Sequence, residues 1–199
     1  VEEKLKSRPK DNLNRSLFRF FDFSFSLIGL LVLGPLMVFL FLVGIYFMRK
    51  PLFFQTRMGI NLKPFVLVKF RTMPVGTPSL ATHELSRVQL NSFGIFLRKY
   101  KLDELPQLWN VFLGQMSLVG PRPNLETQRE LIEERTSRGV FAVRPGITGW
   151  AQIQEIDMST PRLLAETDAW MIEHMNLKNY FTYIYWTLKG RGMGDRLKD

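Results

Sequence analysis

The sequence predicts an α+β protein: a mostly helical single domain with a small β-hairpin, entered through an apolar membrane segment near the N-terminus. Three observations carry that prediction. An uncharged run at 27–48 is long enough to enter a bilayer, and two short β-prone runs flank a turn near residue 60. Beyond the turn, apolar residues recur at helical spacing between proline and glycine punctuation. With 199 residues and no internal repeat or low-complexity linker, the chain reads as a membrane-associating segment at 1–50 and one integrated globular region at 51–199.

The run at 27–48 reaches roughly 30 Å as a helix, about the thickness of the hydrocarbon core. A cleaved signal peptide has a shorter apolar stretch followed by small residues, whereas this run is followed by Arg49, Lys50 and Pro51. Pro35 follows Gly34 inside it, which predicts a break or kink. Basic residues crowd both flanks, with Lys4, Lys6, Arg8, Lys10, Arg15 and Arg19 before and Arg49, Lys50, Arg57, Lys63, Lys69 and Arg71 after. Lys/Arg excess marks a cytoplasmic flank, and here both flanks qualify. The residues themselves leave a spanning and a re-entrant path open. Arg15, Arg19 and Asp22 interleave with Phe18, Phe20, Phe21, Phe23 and Phe25, a pattern expected of a headgroup-level entry ramp.

Residues 52–57 and 65–70, separated by Gly59 and Asn61, predict the hairpin. A polar loop after Pro74 leads to a short helix near residue 92. Leu105, Leu108, Trp109 and Phe112 predict a helix from about Asp103 to about Gly114, with Pro106 in its first turn. Pro121 and Pro123 enforce an extended stretch before a charged helix at about 125–138. Pro161 opens a long helical stretch. Its aromatic end, 180–188, fits an interfacial amphipathic helix on the membrane surface or a core helix.

Lysine and arginine outnumber acidic residues 27 to 18, a formal charge of +9, which favours an anionic partner. No helix carries the continuous basic face that nucleic-acid binding prefers, so nucleic acid is not the expected partner. Cysteine is absent, and His83 and His174 lack ligand spacing, which argues against thiolate or histidine metal sites.

The most informative stretch is Lys-Tyr-Lys-Leu-Asp-Glu-Leu-Pro-Gln-Leu-Trp-Asn (99–110). Asp103 falls at a helix start, where free N–H groups favour an ionised carboxylate; capping alone would also explain it. Glu104 beside it sharpens the alternative. Adjacent carboxylates repel unless a cation joins them, and Mg²⁺ takes carboxylate and phosphate oxygens together. A positioned carboxylate can also attack phosphorus. Lys69 and Arg71 project to one side of a strand, Arg122 lies between two prolines, and Arg144 precedes a glycine-rich turn. Together they suggest a diphosphate pocket.

Four motifs then meet in order: Lys-Phe-Arg-Thr-Met (69–73), Leu-Asp-Glu-Leu-Pro-Gln-Leu (102–108), Met-Ser-Leu-Val-Gly-Pro-Arg-Pro (116–123) and Val-Arg-Pro-Gly-Ile-Thr-Gly-Trp-Ala-Gln (143–152). On these the chain resembles the monotopic phosphoglycosyl transferases, bacterial sugar transferases that begin O-antigen, capsule and glycoprotein glycan assembly. The resemblance covers about 15–189 and fits the small, catalytic-domain-only form. It implies that Asp103 attacks the β-phosphate of a UDP-sugar, releasing UMP, and that a polyprenol phosphate then takes the sugar phosphate. It implies Mg²⁺ at Asp103 and Glu104, Arg122 on phosphate oxygens, and substrate roles for Lys69, Arg71, Arg144 and Asp168. It also implies a re-entrant helix broken at Gly34-Pro35, membrane lipids as partners, and a site on the cytoplasmic face of the bacterial inner membrane.

The sequence departs from the family's pattern in three places. Gly34 precedes Pro35 where Ser is frequent, and Gln115 stands where an acidic residue is common. Gln154, Glu155, Ile156 and Asp157 replace a frequent Asn-Gly-Arg-Asn after Ala-Gln. The expected donor is an N-acetylated or deoxyamino UDP-sugar, with UDP-glucose or UDP-galactose as the alternative and a non-catalytic basic membrane adaptor as the rival.

Overall fold

The computed structural model describes residues 9–75 and 91–192. In chain order its elements are α1 (Pro9–Met48), β1 (Leu52–Met58), β2 (Pro64–Phe70), α2 (Ser92–Lys99), α3 (Gln107–Phe112), β3 (Ser117–Val119), α4 (Arg129–Ser137), β4 (Gly146–Thr148), α5 (Trp150–Ile153), α6 (Pro161–Glu173) and α7 (Leu177–Leu188). Short 3₁₀ turns lie at Ile60–Leu62, Leu102–Glu104 and Val140–Ala142. The α+β, mostly helical expectation therefore stands. His83 and most of the polar loop lie outside the described residues.

Helix α1 has 40 residues, and Pro35 lies inside it. Of the break or kink expected at Gly34-Pro35, a break is excluded: the backbone stays helical through Pro35. Proline removes one i→i−4 donor, but the turns on either side keep their own hydrogen bonds. Those turns are also held by packing. Gly29 lies against Leu108, and Leu40 and Met48 are buried in a cluster with Phe70, Phe93 and Leu97. The outer face stays bare, with Leu31 70% and Val32 69% exposed. One helix is thus long and apolar enough to cross a membrane, and little of its apolar stretch is buried in protein.

The entry ramp divides differently from expectation. Phe18 stacks on Tyr180 at 5.3 Å and Phe23 on Phe112 at 5.0 Å, whereas Phe20 points outward. Arg19 donates to Val111 O (2.6 Å) and Phe112 O (2.7 Å), capping the C-terminal end of α3. Asp22 is buried and accepts from Ser117 Oγ (3.0 Å), Leu118 N (2.8 Å) and Tyr180 Oη (2.8 Å). These two charges turn inward because α3, β3 and α7 offer them hydrogen bonds.

The hairpin forms as predicted. β1 and β2 pair antiparallel with Phe53 opposite Lys69 and Gln55 opposite Leu67. Strand alternation puts Phe53, Gln55, Arg57, Phe65, Leu67 and Lys69 on one face and Phe54, Thr56 and Val66 on the other, exposed one. The inner face closes over Val111 and Met116.

Three boundaries shift. The helix expected from Asp103 divides at Pro106, which has no N–H to continue the ladder: Asp103 sits in a 3₁₀ turn and α3 starts after it. The charged helix begins at Arg129. The stretch after Pro161 is two helices, because Asn176 caps a new start by accepting from Asn179 N at 3.0 Å. In α7, Tyr180 and Tyr183 are core residues while Phe181, Tyr185 and Leu188 are exposed, so it serves the core along one face.

The three-residue strands β3 and β4, which sequence pattern does not announce, pair in parallel with Ser117 opposite Gly146 and Val119 opposite Thr148. Their contact depends on glycine. A Cβ on Gly146 would overlap the backbone N of Gly120, and one on Gly149 would meet Gly120 O at 2.5 Å. Gly146→Ala is therefore expected to destabilise the fold by about 3 kcal/mol, the upper range for forced overlap in a packed interior. Gly34→Ala, with open space around it, should be neutral or slightly stabilising. Thermal melts of both variants in detergent check the contrast.

Candidate active site

The turn at Leu102–Glu104 carries the two carboxylates. Lys101 precedes it in the left-handed region (φ 53°), an uncommon conformation for a side-chain-bearing residue, and this sharp entry starts the tight turn. Asp103 is buried, and Glu104 is paired with Arg122, Nη2 to Oε1 at 2.6 Å. Strand β2 packs on the turn and brings Lys69 to it. Arg57 reaches the same region from β1, with Nη1 donating to Pro123 O (3.0 Å) and Nε and Nη2 to Gln55 Oε1 (3.0 and 2.5 Å). Arg98, at the end of α2, donates from Nε to Thr72 Oγ1 (3.2 Å) and is felt at Asp103.

The electrostatics follow from that crowding. Burial, then the neighbouring Glu104, push Asp103 up to about 6, against the pull of Lys69, Arg98 and Arg122. Burial also raises Glu104, but Arg122, Lys101 and the Arg122 hydrogen bond outweigh it, so Glu104 lies below its ordinary range. Burial brings Lys69 down to about 8, with Asp103 opposing. Arg57 falls to about 10 through burial and the nearby Arg122. Two adjacent carboxylates thus differ in basicity: one stays ionised beside an arginine, the other is poised near neutrality.

Arg57, Lys69, Arg98, Lys101 and Arg122 surround two carboxylates, an excess of positive charge suited to phosphate oxygens. Among the described residues no group of three or more His, Cys, Asp or Glu side chains converges as a metal cage. The Asp103–Glu104 pair nevertheless fits Mg²⁺, which takes one or two carboxylates and completes its shell with water and substrate phosphate.

The predicted residues separate into two groups. Asp103, Glu104, Lys69 and Arg122 come together. Arg71 shares the Phe53 ring with Lys69, at 5.1 and 5.3 Å to the centroid, but donates to Lys50 O (2.9 Å) and Leu52 O (3.3 Å), which ties the hairpin to the end of α1. Arg144 donates to Gly114 O (2.7 Å) and lies beside Arg19 rather than among the carboxylates. The glycine-rich turn after it does not form an open anion nest: Gly146 N donates to Pro121 O at 2.8 Å. Asp168 is fully buried and paired with Arg135, Nη2 to Oδ2 at 2.7 Å, so its expected place on the substrate gives way to one inside the fold.

Sequence reasoning passed over Arg57, Arg98, Lys101 and Arg135. Strand alternation carried the signal for Arg57, since it shares the inner face with Gln55. Arg98 directly precedes the quoted stretch 99–110, and Lys101 lies inside it. Nothing in the pattern of a charged helix distinguishes Arg135 from its exposed neighbours.

Comparison with known proteins shows what the chain is similar to. Residues 13–191 match the family model described as bacterial sugar transferase. The chain is 38% identical over 159 residues to an uncharacterised sugar transferase, EpsL, of Bacillus subtilis, covering 79% of this chain and 78% of that protein. It is 40% identical over 158 residues to the UDP-glucose:undecaprenyl-phosphate glucose-1-phosphate transferase of Escherichia coli, covering 75% of this chain and 33% of that one. With the UDP-galactose-lipid carrier transferase of Erwinia amylovora it shares 29% identity over 202 residues, 91% of this chain and 42% of that one. The chain thus spans less than half the length of the two relatives whose names carry a substrate.

Asp103 gives a testable consequence for stability. Its folded value lies above its ordinary one of 3.8. Its contribution is fully present below about pH 4 and is lost as pH rises through about 6. In EDTA, Asp103→Asn should therefore be more stable than the parent protein at pH 7.5, on the order of 2 kcal/mol. The gap should close at pH 4. Paired thermal melts at the two pH values measure it.

Proposed function

The chain belongs to the bacterial sugar transferase family, and on that footing we propose that it transfers a hexose-1-phosphate from a UDP-hexose to a polyprenol phosphate. The carrying observation is the buried Asp103 beside the Glu104–Arg122 ion pair, inside a cluster of lysine and arginine. The names of the Escherichia coli and Erwinia relatives favour glucose or galactose over the N-acetylated donor expected from the motifs. The missing Asn-Gly-Arg-Asn stretch after Gln152 points the same way.

In this reading an Asp103 carboxylate oxygen attacks the β-phosphorus of the donor. The bond to the bridging oxygen breaks, and UMP leaves with that oxygen and its electron pair. An oxygen of the polyprenol phosphate then attacks the same phosphorus, the Asp103–phosphorus bond breaks, and the carboxylate returns. One difficult displacement becomes two. Arg122, Lys69, Lys101, Arg98 and Arg57 hold negative oxygens during both, in a site where burial strengthens each interaction. Mg²⁺ held by Asp103 and Glu104 would neutralise phosphate charge when bound. The elevated basicity of Asp103 suits it to attack near neutral pH.

A cytoplasmic-face, monotopic placement is part of the proposal. Both halves of α1 pack on the same globular region: Phe18 and Phe21 on the Tyr180 cluster, Leu40 and Met48 on Phe93 and Leu97. A helix that crossed to the far side could not return its second half to that region. We therefore favour an α1 that enters and leaves by one face, with its bare apolar side in lipid.

UMP release by detergent-purified protein, with Mg²⁺ and a panel of UDP-sugars but no lipid, tests the chemistry. The expected result is one equivalent of UMP from UDP-glucose or UDP-galactose and a hexose-phosphate increment in intact mass. Both should be lost in Asp103→Asn and with EDTA; undiminished release in Asp103→Asn would remove Asp103 as nucleophile. The chain has no cysteine, so Ser16→Cys and Arg191→Cys give single labelling sites. An impermeant maleimide should reach both from the cytoplasmic side in inverted vesicles, and labelling from opposite sides would sink the monotopic placement.

A further inference from the structure

Arg135 is the largest fully buried side chain of the described residues, and the proposed chemistry gives it no part. It rises from α4 into the space between α6 and the segment 121–124. Nε and Nη2 donate to the same oxygen, Oδ2 of Asp168, at 3.1 and 2.7 Å. Nη1 donates to the backbone oxygen of Arg122 (2.8 Å) and to Asn124 Oδ1 (3.0 Å). One guanidinium therefore joins two helices to the segment that carries Arg122.

That segment is gripped from its other side as well. Arg57 Nη1 donates to Pro123 O, and Met58 N donates to Asn124 O, both at 3.0 Å. Pro121 and Pro123 fix the backbone on each side of Arg122. With its carbonyl held by Arg135, Arg122 has its side chain aimed at Glu104.

Stability does not account for such a pair. Desolvating two charges is costly, and well-packed apolar residues of similar volume are often as stable. Oδ1 of Asp168 is buried with no hydrogen-bond partner, a further cost. The guanidinium's use is geometric: a planar fork reaches Asp168, Asn124 and a carbonyl at fixed angles, which an ammonium cannot do.

We propose that Arg135 is a positioning residue, oriented by Asp168, which sets the Arg122 guanidinium against Glu104 and acts on the reaction only through Arg122. The proposal rests on the transferase reading above. Its consequence is coupling. Arg135→Lys keeps the charge beside Asp168 but loses the fork, and should lower kcat roughly 10–100-fold with little change in donor KM, the usual scale for loss of a supporting contact. In an Arg122→Ala background the same change should cost almost nothing further, because the group it positions is gone.

The test is that double-mutant cycle, read as the rate of UMP release, with hydrogen exchange measured on the same detergent-purified proteins. Arg135→Lys should speed exchange at the Met58 amide, which donates to Asn124 O in the Arg122 segment, while α6 keeps its protection. If Arg135→Lys does not fold, Asp168→Asn, which leaves the arginine and a neutral acceptor, takes its place with the same expectations in weaker form. Additive rate losses, or exchange raised equally through α4 and α6, would make Arg135 a plain structural residue and overturn the proposal. If the unmutated protein releases no UMP from any donor, the transferase reading fails; faster exchange at Met58 with α6 still protected would still support the clamp, and its absence would refute it.

Discussion

The carboxamide of Asn110 does for strand β2 what a third strand would do. Its Oδ1 accepts from Val68 N at 3.1 Å and its Nδ2 donates to Val66 O at 2.7 Å. A buried strand edge with open donors and acceptors is costly, and one side chain of α3 closes it. Gln115 Oε1 takes the second Nδ2 proton at 2.7 Å, so the group is satisfied all round. The docking also fixes distance: α3 follows the carboxylate turn directly, and Lys69 follows Val68 directly. Once Asn110 is seated on β2, Lys69 has to face Asp103.

The same economy appears where α1 meets the rest of the fold. Asp22 would be expensive in lipid, and it is expensive in protein unless its oxygens are used. Three donors from β3 and α7 converge on its Oδ1, so the carboxylate becomes a register mark that permits one rotation of α1. That rotation leaves Leu31, Val32 and Phe39 bare on the outer face while Phe18 and Phe21 go into the core. The exposed side chains of Trp109 in α3 and of Leu113 just after it belong to the same belt, because α3 packs against α1. A continuous apolar surface of this size has the character of a lipid contact.

The site itself works against stability. A left-handed Lys101, a carboxylate raised toward neutrality, and several cations gathered on one turn are each unfavourable without substrate. Their partners compensate them in part, Glu104 through Arg122 most of all. A diphosphate would relieve the remainder, since its negative oxygens are what the cluster lacks. In the proposed transferase reading, binding and catalysis would draw on the same stored electrostatic energy.

Much of this could be read from the chain. Alternation in 52–58 and 64–70 showed the hairpin, and the absence of charge in 27–48 showed the long apolar helix. Asp103, Glu104 and Arg122 stood out because like charges and flanking prolines leave few structural reasons for them. These are local properties, and periodicity reports local properties well. Tertiary structure decided the rest. Pro35 does not interrupt α1, because packing on both sides of it sustains the helix. β3 and β4 are too short for any period and exist because Gly120, Gly146 and Gly149 let two backbones touch. Arg144 looks like a phosphate ligand in sequence and the family resemblance put Asp168 at the substrate, yet Gly114 O and Arg135 claim them first. A charged side chain goes to whichever partner the fold brings within reach, and residues distant in sequence set that reach.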